Sequence, residues 1–171
     1  DAVLQQKDVL ALLPTGGGKS VCFQVPAMLL NGLCLVVSPL VALMKDQVEN
    51  LSKKNITATA LFSGMSFNEV KNTLQNAAEG KYKFLYLSPE RLETDLLKSF
   101  LHELPICLIA VDEAHCISQW GYDFRPPYLR IVQLRKELPH VPIIALTASA
   151  TSLVQKDIID KLQLQQPSVF L

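Results

Sequence analysis

Short apolar runs alternate with helical stretches along the chain, and this alternation constrains the fold more than any other feature. Runs rich in Val, Ile and Leu, bounded by Gly, Pro or Ser, are predicted as buried strands at residues 9–13, 34–37, 83–87, 107–111 and 143–146. Residues 57–61 are a weaker sixth candidate, and residues 168–171 are a candidate start of a seventh. Strands that alternate with helices predict an α/β domain with a mainly parallel sheet and helices on both faces.

The stretches between these runs have helical periodicity. From Leu40 to Leu51 the apolar residues recur at i, i+3 and i+4, with Lys45 and Asp46 on the other side. The same reasoning predicts helices near residues 19–30, 67–79, 89–101, 127–138 and 152–162. No linker, charge block or low-complexity tract interrupts the pattern, so residues 1–171 are predicted to form one domain.

The composition excludes several classes of protein. Hydrophobic residues make up 49% of the 171 positions, which is incompatible with a disordered chain. No apolar run reaches the roughly 18 residues of a membrane span. The 16 Lys and Arg residues balance the 16 Asp and Glu residues, which excludes nucleic-acid binding through a bulk positive field but leaves local phosphate contacts open.

The cysteines and the first residues indicate the cellular setting. Four widely spaced cysteines, with no CxxC pair, predict reduced thiols, no zinc site and an intracellular protein, in the cytoplasm or nucleoid if the source is bacterial. The sequence opens with neither Met nor a signal peptide, so we expect it to be a piece of a longer protein.

Compact polar motifs follow five of the predicted strands: PTGGGKS, SPL, SPER, DEAH and TASAT. In an open parallel sheet, ligands bind beyond the carboxyl ends of the strands. Ordinary loop chemistry explains any one of these motifs but explains the set poorly. The sequence therefore predicts a ligand site along this edge of the sheet.

The segment from Pro14 to Ser20 predicts a phosphate-binding loop (P-loop) between a strand and a helix. Its glycines let successive backbone N–H groups and the helix N-terminus face a phosphate chain. Lys19 then supplies positive charge to the β and γ phosphates of ATP, and the Ser20 hydroxyl can bind Mg²⁺. Leu13 stands where the strict pattern has a glycine, a departure that favours helicase-like loops over kinase-like or GTPase-like ones. The predicted nucleotide-binding residues are Thr15, Gly16, Gly17, Gly18, Lys19 and Ser20.

Two acidic residues, Asp112 and Glu113, directly follow the apolar run 107–111. Asp112 is predicted to hold Mg²⁺ from a neighbouring strand, and Glu113 to orient and deprotonate the attacking water. Acidic capping of a helix is the alternative, and the P-loop makes it the minority interpretation. His115 joins Lys19, Asp112 and Glu113 as a candidate catalytic residue because of these neighbours, although a lone histidine is more often structural.

The sequence DEAH at 112–115, after such a P-loop, resembles the superfamily 2 helicases, and its flanks resemble the RecQ-family DNA helicases. Residues 116–126 (CISQWGYDFRP) are similar to that family's aromatic-rich loop, and residues 147–151 (TASAT) to its motif III. Residues 37–47 (VSPLVALMKDQ) are similar to its motif Ia, and residues 87–92 (LSPERL) to its next DNA-contacting motif. The resemblance implies the first of two RecA-like motor domains of an ATP-dependent 3′-to-5′ DNA helicase in repair and recombination. ATP and Mg²⁺ would lie in the cleft, with single-stranded DNA and duplex junctions across the top.

Two Ser-Pro pairs agree with a DNA surface. Ser38-Pro39 and Ser88-Pro89 are each predicted as N-cap and first residue of a helix, and such helix starts can hold backbone phosphates without net charge. Plain capping is the alternative, and the two uses are compatible. The predicted DNA contacts on this side are Ser38, Pro39, Ser88, Lys45 and Arg91.

Four aromatic residues, Trp120, Tyr122, Phe124 and Tyr128, lie within nine positions. Bases stack on such rings, whereas composition alone favours rings that fold into the core. The resemblance reverses that preference. It implies DNA contacts for Trp120, Phe124 and Arg125 that are coupled to ATP hydrolysis.

Motif III is the last candidate segment. The resemblance implies that Thr147, Ser149 and Thr151 couple the sheet edge to the second motor domain through hydroxyl hydrogen bonds. Capping of the last helix is the alternative.

Several parts of the family have no counterpart in these residues: the upstream adenine-reading motif, the second motor domain with its arginine finger, and the zinc-binding region. An arginine finger contributes about 10³ or more to turnover. We therefore expect these residues alone to hydrolyse ATP barely or not at all. Two alternatives stay open: an ATPase-deficient DNA-binding or annealing module, against which intact Lys19, Asp112 and Glu113 count, and a small-molecule P-loop kinase, against which Leu13 counts.

Overall fold

The computed structural model describes residues 2–14 and 16–171. Seven strands in these residues form one parallel sheet: β1 Val9–Leu12, β2 Leu33–Val37, β3 Ala58–Leu61, β4 Phe84–Leu87, β5 Ile106–Val111, β6 Ile143–Thr147 and β7 Ser168–Phe170. Their order across the sheet is β3-β4-β2-β5-β6-β1-β7. All seven predicted strands are confirmed to within one residue at each end.

Helices cover both faces, as predicted: α1 Lys19–Leu29, α2 Val41–Ser52, α3 Phe67–Ala78, α4 Asp95–Phe100, α5 Ile131–Glu137 and α6 Ser152–Leu162. Phe23 and Ala27 of α1, with Met44 and Leu51 of α2, pack on one face of the sheet. Helices α3 to α6 pack on the other face in a larger apolar cluster. The RecA-like α/β architecture is therefore confirmed.

Two predicted helices are divided in the structure. The stretch 89–101 forms a 3₁₀ helix at Pro89–Glu93 and then α4, because Thr94 between them is extended and its hydroxyl donates to the carbonyl oxygen of Arg91 at 2.8 Å. The stretch 127–138 forms a 3₁₀ helix at Pro126–Arg130 and then α5. Two successive prolines lack the N–H groups that a longer α-helix would use there.

The predicted cap at Ser38 is wrong. Helix α2 begins at Val41 with the extended Leu40 as its N-cap, so Ser38 lies two residues before the N-cap and Pro39 lies one residue before it. Ser38 instead continues the edge of β2, where its N–H donates to the carbonyl oxygen of Leu87 at 3.1 Å. Ser88 is an N-cap, but of the 3₁₀ helix, and its side chain makes no capping hydrogen bond.

Because the strands are parallel, their carboxyl ends all lie along one edge of the sheet. A buried ion pair joins several elements at the opposite edge, where the strands begin. The carboxylate of Asp8, just before β1, accepts hydrogen bonds from Ile143 N at 2.8 Å and Gln165 N at 2.6 Å. It also pairs with Arg135 of α5 at 2.5 Å. No helix in the described part of the chain combines the length and apolar character that crossing a membrane needs.

Candidate nucleotide site and nucleic-acid surface

The P-loop leaves β1 and enters α1 with its backbone exposed. Gly16 and Gly18 have left-handed φ angles of 78° and 77°, which glycine adopts without strain. Gly17 N donates to the carbonyl oxygen of Pro14 at 2.8 Å, so a tight turn brings the chain into the helix. Gly18 is the N-cap of α1, and no side chain of the described residues caps that helix. Its first N–H groups are therefore free to bind an anion, as predicted for a phosphate-binding loop. Thr15 lies outside the described residues.

Lys19 reaches the acidic pair at the end of β5. Its Nζ lies 2.8 Å from Oε1 of Glu113, although the two residues are 94 positions apart. Strand β6 separates β1 from β5 in the sheet, and the long Lys19 side chain bridges that distance. Lys19 and the acidic motif therefore lie side by side at the carboxyl ends of the strands. An ATP-driven motor requires this arrangement, because both groups must reach the same nucleotide.

Asp112 follows β5 in a partly desolvated position. Burial raises the pKa of its carboxyl, the charge of Glu113 raises it further, and Lys19 acts in the opposite direction. Oδ1 of Asp112 accepts the N–H of Glu113 at 3.0 Å. The hydroxyl of Ser20 and the carboxylate of Asp112 are hard oxygen donors, and a divalent cation would relieve the cost of burying the Asp112 charge. These residues fit Mg²⁺.

Glu113 has a left-handed backbone, with φ 48° and ψ 46°. This conformation costs a residue with a side chain about 1–2 kcal/mol and is found at functional sites. The turn directs the Glu113 side chain back toward Lys19, while the hydroxyl of the fully buried Tyr128 donates to the carbonyl oxygen of Asp112 at 2.9 Å. Tyr128 thus stabilises the backbone of the acidic motif from the core side.

His115 is buried and contacts three other parts of the edge. Its Nδ1 lies 2.9 Å from Oγ1 of Thr147 and 3.4 Å from Oε2 of Glu113. Its ring stacks on Tyr122 with a centroid distance of 4.4 Å and an interplanar angle of 21°. Burial lowers the pKa of His115, in opposition to the nearby charges of Glu113 and Asp123, which favours the neutral ring. His115 therefore joins the acidic motif to the segment after β6 and to the aromatic-rich loop.

The segment 147–151 connects β6 to α6. Thr147 is buried, and its hydroxyl contacts both His115 and the carbonyl oxygen of Ser149, the latter at 3.2 Å. Thr151 is the N-cap of α6 and accepts the N–H of Val154 at 3.4 Å. The capping alternative is thus confirmed for Thr151, while Ser149 is exposed.

The aromatic-rich loop divides its rings between surface and core. Trp120 has 68% of its surface exposed and Tyr122 has 75%, whereas Phe124 is half-buried and Tyr128 is fully buried. The interpretation of rings that fold into the core is therefore confirmed for Tyr128, and the predicted DNA contacts of Trp120 and Phe124 stay predictions. Trp120 and Tyr122 are both exposed, but one face of Tyr122 stacks on His115.

Arg125 joins this loop to the segment after β2. Its guanidinium pairs with Asp123 at 3.1 Å and approaches the carbonyl oxygen of Pro39 at 3.5 Å. His115, Cys116 and Asp123 also lie close enough together to bind a metal ion. However, Arg125 already neutralises Asp123, and burial, with a further contribution from Asp123, raises the pKa of the Cys116 thiol to about 12. We interpret this group as part of the ion-pair network.

A second set of predicted DNA contacts lies beside β2 and β4. The hydroxyls of Ser38 and Ser88 are buried at adjacent strand ends, and neither has a hydrogen-bond partner among the described residues. Lys45 is exposed, with its amine 4.7 Å from the centroid of the Phe62 ring. Arg91 donates to the carbonyl oxygen of Phe62 at 3.1 Å. The structure therefore brings Lys45 and Arg91 together around the segment after β3.

Comparison with known proteins identifies the family. The family model for the DEAD/DEAH box helicases matches residues 1–157. The chain belongs to the DEAD/DEAH box helicases.

The sequence relatives of this helicase domain are RecQ-type proteins, so the predicted RecQ resemblance is confirmed. The chain is 48% identical to the probable ATP-dependent DNA helicase RecS of Bacillus subtilis, over 96% of its own length and 33% of that protein. It is 44% identical to the ATP-dependent DNA helicase RecQ of Pasteurella multocida, over 100% of its own length and 27% of that protein. The chain thus spans about a third or less of these relatives.

Solved structures of helicases share the fold of this helicase domain. The Hef helicase domain of Pyrococcus furiosus matches 97% of the chain and 36% of its own, with a TM-score of 0.74 and 23% identity. A helicase named MrfA, solved with DNA and AMPPNP, matches 99% of the chain and 25% of its own, with a TM-score of 0.77 and 14% identity. At these identities the likeness concerns the fold alone.

Three features of the helicase site were missed in the sequence. These are the Tyr128 hydrogen bond to Asp112, the contact between His115 and Thr147, and a hydrogen bond between Ser118 and Asp157. Each joins residues on different elements, and periodicity carries no signal for such pairs. Strand order in the sheet could have predicted only that residues 115 and 147 are near each other, since β5 and β6 are adjacent.

Proposed function

We propose that this domain is the motor domain of an ATP-dependent DNA helicase. It binds ATP and Mg²⁺ at the P-loop and single-stranded DNA along the neighbouring strand ends. The observation that carries the proposal is the convergence of Lys19 with Asp112 and Glu113 at one edge of the sheet. The printed names of the relatives, ATP-dependent DNA helicases, support the same activity.

Each residue has a distinct task in the proposed hydrolysis. The exposed N–H groups of residues 16–18 and the first turn of α1 bind the phosphate chain. Lys19 leaves Glu113 and neutralises charge on the β and γ phosphates. The freed carboxylate of Glu113 orients the attacking water and accepts its proton. Ser20 and Asp112 would hold Mg²⁺, which supplies further charge neutralisation at the phosphates.

Single-stranded DNA is proposed to cross the edge beside this pocket. Trp120 offers an exposed ring on which a base can stack. Ser38 and Ser88, whose hydroxyls have no hydrogen-bond partner within residues 2–14 and 16–171, and the exposed Lys45 are the proposed contacts to the sugar-phosphate backbone. Because Arg91 and Arg125 already bond to protein groups, they would contact DNA with part of their guanidinium only.

The finer features of the function rest on the RecQ resemblance. They are 3′-to-5′ translocation, action at duplex junctions, a role in repair and recombination, and a second RecA-like domain that completes the cleft. The chain spans about a third or less of its relatives, so these properties belong to the longer protein.

The test of the proposal is Lys19→Ala in the full-length protein, with Lys81→Ala as the matched control. Lys81 is an exposed lysine that pairs with Glu79 just before β4, at the opposite end of the strands from the P-loop. Lys19→Ala is expected to lower ATP turnover by about 100-fold or more and to abolish unwinding, since a charge that stabilises the transition state is lost. Binding of a labelled single strand without nucleotide is expected to stay within about threefold, and Lys81→Ala to behave as wild type.

One result would contradict the motor function. If Lys19→Ala unwound or annealed DNA as well as wild type, the domain would act as an ATP-independent DNA-binding module.

A further inference from the structure

We propose that Asp157 of α6 is a positioning residue that, through Ser118, holds Trp120 where single-stranded DNA binds. The inference rests on the proposed DNA-dependent ATPase. It concerns a side chain that lies outside both the nucleotide site and the predicted DNA contacts.

Ser118 is the third residue of the aromatic-rich loop and is fully buried. Its hydroxyl donates to Oδ2 of Asp157 at 2.7 Å and accepts the N–H of Trp120 at 3.2 Å. Both hydrogen-bonding functions of the hydroxyl are therefore in use. A carboxylate acceptor makes the first of these bonds about twice as strong as a neutral one.

A second side chain of α6 secures the same segment. Lys161, one turn after Asp157, lies 3.0 Å from its Oδ2 and 3.3 Å from the carbonyl oxygen of Ile117. The hydrogen bond from Ser118 and then the Lys161 charge lower the pKa of Asp157, so the carboxylate stays ionised throughout the neutral range. Two side chains of one helix thus bind two consecutive residues at the start of the loop.

The turn that follows, from Ser118 to Gly121, is tightly packed against the backbone. Gly121 N donates to the carbonyl oxygen of Ser118 at 3.1 Å, which closes a turn with Trp120 at its tip. A Cβ atom on Gly121 would lie 2.8 Å from the carbonyl oxygen of His115 and 3.3 Å from that of Ser118. The backbone position from which the Trp120 ring extends is therefore set by where Ser118 is held.

Helix α6 also reaches the nucleotide side. It begins at Thr151, immediately after the segment in which Thr147 contacts His115. One rigid helix therefore connects the segment beside the DEAH motif to the anchor of Trp120. Loss of the Asp157 anchor is expected to weaken the response of ATP turnover to DNA while leaving the nucleotide site intact.

The experiment measures ATP turnover by the full-length protein as a function of oligo(dT) concentration. Asp157→Ala is expected to raise the half-saturating oligo(dT) concentration by about tenfold, as loss of a hydrogen bond to a charged group predicts. Basal turnover without DNA and the KM for ATP are expected to stay within about twofold. Asp157→Asn, which keeps an acceptor for Ser118, is expected to restore most of the response.

Asp160→Asn is the matched control. Asp160 is an exposed carboxylate on the same helix, and its substitution is expected to change nothing. An unchanged oligo(dT) response in Asp157→Ala would overturn the inference. An equal fall of basal and DNA-stimulated turnover in that variant would also overturn it, because the role would then be structural. If the wild-type protein itself showed no DNA-stimulated turnover, the proposed function would fail instead.

Discussion

Asp112 and Glu113 are adjacent carboxylates in different surroundings, and this difference gives each its own task. Glu113 has Lys19 as a direct partner at 2.8 Å. For Asp112, burial and then the Glu113 charge raise the pKa of the carboxyl, and the opposing effect of Lys19 does not cancel them. The site therefore holds an ionised group at a cost in stability that a bound cation would offset.

Asp112→Asn is expected to stabilise the unliganded domain while abolishing ATP turnover in the full-length protein. A raised native pKa favours the protonated form, so the native state loses stability as the pH rises from the unfolded value of 3.8 through the raised value. Removing the charge is expected to raise the Tm of the 171-residue chain by about 2–4 °C at neutral pH, and the gain is expected to vanish below that window. Thermal melts at several pH values measure it. A lower Tm for Asp112→Asn at neutral pH would contradict this account.

At the scale of elements, a single carboxylate assembles the edge opposite the site. Asp8, the residue before β1, bonds to the first residue of β6, to the turn after α6 and to the side chain of Arg135 in α5. Arg135 in turn donates to the carbonyl oxygens of Pro139 and Val141, both at 3.2 Å. Strands β1 and β6 leave this edge in register and carry the P-loop and motif III at their other ends.

Asp8→Asn is expected to destabilise the domain strongly. It leaves the Arg135 charge buried without a counterion, and breaking one side of a buried pair costs about 3–5 kcal/mol. The expected fall in Tm is about 10 °C or more. Glu49→Gln, which breaks the exposed pair with Lys53 on α2, is the control and is expected to leave the Tm unchanged. Equal melting of the two variants would show that the buried network contributes nothing to folding.

On the scale of the whole molecule, the parallel sheet places all five polar motifs along one edge and leaves that edge open. Residues 16–18 are exposed, and Trp120 presents a free ring on the same side of the fold. A net charge of zero is compatible with this arrangement, because only a few positively charged side chains at this edge would have to contact phosphate. In the proposed helicase, this open edge is the face that a second motor domain would cover.

The 171-residue chain by itself is expected to bind a labelled ATP analogue without appreciable turnover. A complete helicase cleft adds groups that stabilise the transition state, of which an arginine finger alone contributes about 10³ or more. The measurement is phosphate release by the chain and by the full-length protein, each with and without a DNA single strand. Appreciable DNA-stimulated turnover by the chain alone would refute the expectation.

The sequence predicted the strands and most helices well, because hydrophobic periodicity and capping residues lie within or next to each element. The helix over 152–162 was predicted at its observed bounds, since its apolar spacing lies within the segment and its N-cap residue, Thr151, directly precedes it. The starts of α2 and α4 were wrong, because an extended Leu40 or Thr94 depends on surrounding contacts as well as on its own sequence.

Contacts between distant side chains could not be predicted in the same way. The P-loop and the DEAH motif indicated that residues 19 and 113 share a pocket, because the two motifs together are typical of a nucleotide site with that geometry. The pairs Ser118–Asp157 and Asp8–Arg135 are separated by 39 and 127 positions and belong to no such motif. Only the packed structure shows them.

The ion pair between Lys19 and Glu113 has a consequence for the order of events at the nucleotide site. While this pair persists, the Lys19 amine is not available to a phosphate group, and the Glu113 carboxylate is not available to a water molecule. In the proposed function, a triphosphate that binds Lys19 releases Glu113 in the same step. Nucleotide binding would then itself make available the carboxylate that orients the attacking water.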